Sequence, residues 1–133
     1  MSRRRARKQA FLILYQSDVT GAPVESLMGK WLAYRSDLEE YARRVIRGVM
    51  GEREALDRIL SEVSIGWPVH RMSAVDRTVL RLALYEILHV EDVPLDVAIN
   101  EAVELAKGFS GEDAPSFVSG VLRGAADRLL IHG

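Results

Sequence analysis

Ser73-Ala74-Val75-Asp76-Arg77-Thr78-Val79-Leu80-Arg81-Leu82-Ala83-Leu84-Tyr85-Glu86-Ile87-Leu88 is the stretch that decides the fold. Its first four residues read as a capping box, in which the Ser73 hydroxyl and the Asp76 carboxylate each satisfy a free N–H at a helix start. From Val79 to Leu88 the segment is apolar almost all round, the pattern of a helix buried among other helices. No strand-like alternation of any length occurs elsewhere, and helical spacing runs through nearly the whole chain.

Working towards the N-terminus, Gly66-Trp67-Pro68 closes a long preceding stripe. That stripe comprises Leu38, Tyr41, Ala42, Val45, Ile46 and Val49, then Leu56, Ile59, Leu60 and Val63. A second capping box, Ser36-Asp37-Leu38-Glu39, opens it, and Gly48 and Gly51 are candidates to bend or break it. Before it, Val24, Leu27, Met28 and Trp31 share one face of a short helix that starts after Thr20-Gly21-Ala22-Pro23. The first helix is expected over Ala6 to Ser17, with Ala6, Ala10 and Leu14 on its inner side.

Towards the C-terminus, Asp92-Val93-Pro94 separates the central helix from one capped by Asp96, with Ile99, Ala102, Val103, Ala106 and Phe109 on its inner face. Gly108-Phe109-Ser110-Gly111 ends it. Pro115 falls in the first turn of a last helix burying Phe117, Val118, Val121, Leu122, Ala125 and Leu129. Ser116, Gly120 and Gly124 form a bare stripe on that helix. Glycines inside a helix cost about 1 kcal/mol each relative to alanine, and close helix packing is the expected compensation. The fold expected is all-α, a one-domain compact bundle of about six or seven helices over residues 1–133.

Composition narrows the function. The 133 residues are 48% hydrophobic and 28% charged, ordinary for one globular domain, and there is no Cys to supply a disulfide, a thiolate metal site or a cysteine nucleophile. The apolar run behind the basic start, Ala10 to Tyr15, is too short for a signal peptide and has no cleavage site after it. No segment approaches the roughly 20 apolar residues of a membrane span, so a soluble cytoplasmic protein is expected. His70, His89 and His132 are scattered, and no metal-ligand spacing, nucleophile elbow, P-loop or dinucleotide fingerprint occurs. We therefore expect neither an enzyme nor a cofactor or metal site.

Charge is distributed unevenly. Arg3, Arg4, Arg5, Arg7 and Lys8 supply five of the 18 basic residues, leaving 13 against 19 acidic ones in the rest of the chain. Cations at a helix start oppose the helix dipole by a few tenths of a kcal/mol, and Arg3/Arg7 and Arg4/Lys8 repel at i, i+4. Such an arm over residues 2–8 is either disordered or met by an anion, and RNA phosphate fits both cases. The charge run by itself is equally consistent with a solvated basic tail. Five phosphate contacts on single-stranded RNA imply a salt slope of about −3.5, or a roughly hundredfold loss of affinity between about 50 and 200 mM salt.

Four stretches carry a family resemblance. Arg3-Arg4-Arg5-Ala6-Arg7 with the apolar helix ending Leu14-Tyr15-Gln16 resembles the arginine-rich opening of the NusB family. Asp76 to Glu86 is similar to its central helix, and Val93-Pro94 with Val97 to Lys107 to its most recognisable segment. Phe117-Val118-Ser119-Gly120-Val121-Leu122 resembles the start of its last helix. The order and spacing match over essentially the whole chain.

The resemblance implies an all-α fold of two small helical subdomains and a transcription antitermination factor without catalysis. It implies binding to boxA, a short single-stranded RNA element, with the small-subunit ribosomal protein NusE, in an antitermination complex on RNA polymerase. Carried over, the RNA surface comprises Arg3, Arg4, Arg5, Arg7 and Lys8 together with Trp67, Phe109, Asp113, Ser116 and Phe117. Aromatics there can stack on unpaired bases, and an Asp can accept from base amino groups. Each aromatic is equally suited to the core, and Asp113 to capping the last helix. The chain departs from the family at Ser116, Ser119 and Arg123-Gly124, where relatives carry a basic residue, Asn and an Asp-Lys pair. Two alternatives remain. One is a helical protein-interaction module or homodimer. The other is the matching N-terminal domain of a ribosomal RNA cytosine methyltransferase, which chain length disfavours. Asn100 is expected to bond between helices, and Glu86 and Glu101 to lie in solvent or meet Arg side chains.

Overall fold

Ser73 caps the central helix as its sequence requires: its hydroxyl accepts the Asp76 N–H at 3.1 Å, and α5 runs Ala74–His89. The box is only half formed, because the Asp76 carboxylate accepts from the Ser110 hydroxyl at 3.2 Å instead of reaching back. In this computed structural model, which describes residues 3–35 and 37–129, α5 packs against five other helices. Val79, Leu80, Leu82 and Leu84 on it are essentially without exposure.

Three helices precede the stripe's second half: α1 (Arg3–Thr20), α2 (Val24–Arg35) and α3 (Glu40–Gly51), followed by α4 (Arg53–Val63). α1 begins three residues earlier than expected and ends at Gly21, whose positive φ of 80° suits a residue without a Cβ. Ser36 of the proposed capping box lies outside the described residues. Glu39 occupies the cap position of α3 without a side-chain cap, and its N–H is accepted by the Gln9 amide oxygen at 3.0 Å. The long stripe breaks at Glu52, and the break lets its halves face different partners: α3 packs on α1 and α5, α4 on α5 and α7.

A 3-10 turn, Val69–Arg71, leads into α5; α6 (Leu95–Phe109) and α7 (Ala114–Arg128) complete the chain. Pro94 occupies the cap position of α6, and Asp96 stands two residues past it, at the second helical position. Asp113 does stand at the α7 cap position, but with helical backbone angles and no side-chain hydrogen bond. The reason is local. A cap carboxylate needs an N–H at the second or third helical position, and Pro115 removes the nearer one. Helices α1 to α3 pack together, as do α4 to α7, and α5 joins the groups through α1 and α3. Phe11, Ile46, Leu56, Leu80, Ile99 and Leu122 fill one core across both.

The glycines reverse the expected roles. A Cβ at Gly48 would fall inside the Tyr85 ring, so α3 meets α5 closely there. Gly120 has open space before it, and a Cβ at Gly124 would meet only Val63 at an ordinary 3.8 Å. Close packing therefore does not explain the α7 stripe. Asn100 is likewise exposed on α6 and, among the described residues, makes no interhelical hydrogen bond.

Candidate nucleic-acid interface

A helix that starts with four arginines needs anions, and α1 finds carboxylates. Arg3 pairs with Asp92 at 3.1 Å, and its guanidinium lies 4.3 Å from the centre of the Tyr41 ring. Arg4 reaches both oxygens of Glu101, at 3.1 and 2.8 Å. Arg5 meets Asp37 at 2.9 Å and Glu39 at 3.7 Å. These acids come from the α5–α6 connection, from α6 and from the α2–α3 connection, so distant sequence supplies what local sequence lacks. The arginine hydrogen bonds hold the carboxyls of Asp92, Glu101 and Asp37 below their ordinary range. Exposed pairs of this kind contribute little to stability, because water and salt screen them. They order the arm without locking it.

Arg7 differs. Expected among the phosphate contacts, its side chain is only 6% exposed and its Nε donates to both Glu86 oxygens, at 3.0 and 2.8 Å. The Tyr41 hydroxyl donates to the same carboxylate at 2.5 Å. Burial first, and then that hydrogen bond, push the Tyr41 phenol well above its ordinary range, so it remains a donor. Arg7 thus anchors α1 from inside, while Arg4, Arg5 and Lys8 face outward.

At its far end α1 is held by a second ionic group. Asp18 accepts from Arg77 and Arg81 of α5, and Arg81 also grips Asp57 of α4 at 2.7 and 2.9 Å. Burial alone would raise the Asp18 carboxyl, but the two arginine hydrogen bonds outweigh it and hold it low. Anchored at both ends, α1 presents its outer face in a fixed orientation.

Phe109 lies beside α1. Its ring packs 4.8 Å from Phe11, which stacks on Tyr15 at 5.8 Å, and 39% of Phe109 stays exposed. Asp113 and Ser116 follow on the exposed α6–α7 corner, while Phe117 is partly buried against the core. Trp67 stands apart, 51% exposed in the connection after α4, with its backbone N–H held by the Ser64 carbonyl. It makes no ring or hydrogen-bond contact with the arm.

Sequence reasoning missed Tyr41 as the platform under Arg3. Glu86 and Glu101, expected in solvent or against Arg side chains, meet Arg7 and Arg4, but the burial of the Arg7–Glu86 pair was not foreseen. A lone carboxylate within an otherwise apolar buried helix was the available signal for Glu86.

The pattern of the NusB family matches residues 4–127. A Rubrobacter xylanophilus protein described as transcription antitermination protein NusB is 74% identical over 130 residues, covering 98% of this chain and 94% of that protein. The solved structure of T. maritima NusB superposes with a TM-score of 0.87 at 35% identity, covering 96% of this chain and 92% of that one. A crystal structure of antitermination factors NusB and NusE in complex with dsRNA matches at TM-score 0.85 and 27% identity, covering 96% and 99%. The chain belongs to the NusB family.

Proposed function

We propose that the protein is a transcription antitermination factor that binds boxA-type single-stranded RNA together with NusE, within a cytoplasmic antitermination complex on RNA polymerase, and that its role is binding rather than catalysis. The observation that carries this reading is the outward display of Arg4, Arg5 and Lys8 on a helix whose inner face is anchored by Arg7. A polyanion gains most from cations already fixed in place, since less side-chain and backbone freedom is lost on binding. The similarity to a solved complex of NusB and NusE with dsRNA supports the coarser part of this reading, RNA binding alongside NusE.

In it, Arg3, Arg4, Arg5 and Lys8 meet phosphates, and Phe109 and Phe117 are the aromatics that stack on bases. Asp113 and Ser116 are the residues proposed to hydrogen-bond base edges, and Trp67 would serve only RNA that reaches past the α6–α7 corner. Arg7 acts by positioning the arm.

The test is titration of a boxA-like RNA and a scrambled control over a salt series, with and without NusE. Preference for the boxA-like RNA, tightened by NusE and weakened by salt, is the expected result. Equal and weak binding to both RNAs would overturn it, and a protein that instead self-associates would favour the homodimer reading.

A further inference from the structure

We propose that a segment of the bound RNA lies in the groove between α1 and α2, with Trp31 and Tyr34 stacking on bases and Lys8, Lys30 and Arg35 meeting phosphates. This deepens the RNA-binding reading and rests on it.

Two hollows form the groove. One, of 410 Å³, is lined by Tyr15 and Gln16 of α1 and by Leu27, Lys30, Trp31 and Tyr34 of α2. The other, of 340 Å³, opens at the arm end beside Arg5, Lys8 and Gln9. Leu12, Trp31 and Arg35 line both, so they make one trough continuous with the outer face of the arm. Along α1, from Arg5 to Gln16, it is about 16 Å long at 1.5 Å per residue. That is room for more than one nucleotide.

Its charge is the first argument for the occupant. Arg5, Lys8, Lys30 and Arg35 line it against the single acid Asp37, on a body where acidic residues outnumber basic ones once the arm is set aside. Lysines are depleted at protein–protein interfaces, whereas a basic groove with aromatic platforms is the common form of a single-strand site. The aromatic geometry is the second argument. The Trp31 indole N–H donates to the Asp37 carbonyl at 2.8 Å, which fixes the ring, and the Arg35 guanidinium lies 4.7 Å from its centre. A base can extend or replace that stack, because bases stack on both aromatic rings and guanidinium planes. Tyr34 is 86% exposed, a large ring that the fold does not use.

The test uses the full chain, a boxA-like RNA, and the same RNA lengthened at either end by a short uridine tract. Lys30→Gln with Arg35→Gln removes two contacts from exposed positions, and arm substitutions Arg4→Gln with Arg5→Gln serve as the reference. The expected result is about tenfold or more loss of affinity for the longer RNA at moderate salt, with the salt slope shallower by about 1.4. Ultraviolet crosslinks mapped by mass spectrometry should fall on Trp31 or Tyr34. Groove variants that bind the longer RNA as the unmodified protein does, with no crosslink in α2, would overturn the proposal. If the arm variants still lose affinity, the RNA-binding reading survives that result; if the unmodified protein binds neither RNA, both fail. A groove substitution that leaves RNA binding intact but changes sedimentation would assign the groove to a second copy of the chain.

Discussion

Arg4 and Arg7 are one helical turn apart in the same basic run, and burial gives them different chemistry. Arg4 keeps most of its side chain in water, 71% exposed, so its pair with Glu101 is a surface interaction. Arg7 and Glu86 are 6% and 2% exposed, and each needs the other to remain charged without solvent. Removing one member of a buried pair strands its partner, at a cost of about 3–5 kcal/mol, whereas replacing both with apolar side chains is often close to neutral. Glu86→Ala is therefore expected to lower unfolding stability by about 3–5 kcal/mol. Arg7→Met with Glu86→Leu should recover most of that loss, and Arg4→Ala, at a solvent-screened position, should shift stability far less than Glu86→Ala. Urea denaturation of the three variants checks the order; equal effects of Arg4→Ala and Glu86→Ala would show that the inner pair anchors nothing. The distinction was legible in part. Arg7 precedes Ala10, Phe11 and Leu14 by three, four and seven residues, which places it on the buried face. That its partner would be Glu86, 79 residues on, depends on how α1 and α5 cross.

At the scale of helices, stripes were readable and their neighbours were not. The apolar spacings placed Ala10, Val45, Leu60, Ile99 and Val118 in the core, where they are. Terminal residues were harder: Asp96 and Asp113 have the right chemistry for caps, but Pro94 and Pro115 set the backbone at those ends. Glycines were hardest, because a glycine's use depends on what stands opposite it. Gly48 faces the Tyr85 ring and Gly120 faces open space. Gly48→Ala should therefore destabilise the protein by about 1–3 kcal/mol, as overpacking does, despite alanine's better helix propensity. Gly120→Ala, on the open side of α7, should stabilise it by up to about 1 kcal/mol. Thermal melts of the two variants should move in opposite directions. If both rise, α3 and α5 are not in close contact at Gly48.

Across the whole molecule, the arm's cations are shared between the protein's own acids and any polyanion that approaches. A salt slope of about −3.5 assumed five free contacts; with Arg7 inside, four remain, for about −2.8. RNA must also displace Asp92, Glu101 and Asp37 from Arg3, Arg4 and Arg5. Carboxylates set free in this way draw cations back from solution, which offsets part of the counterion release from the RNA. On an RNA too short to enter the α1–α2 groove, the unmodified protein should therefore show a slope shallower than about −2.8. Asp37→Asn with Asp92→Asn removes two of the competitors at positions 53% and 70% exposed, where stability should change little. RNA affinity is then expected to rise several-fold at low salt and the slope to steepen towards the four-contact value, read from titrations at increasing salt. An unchanged affinity for that short RNA would mean that Arg3 and Arg5 keep their carboxylates in the complex, and that the phosphates are met by Arg4 and Lys8 alone.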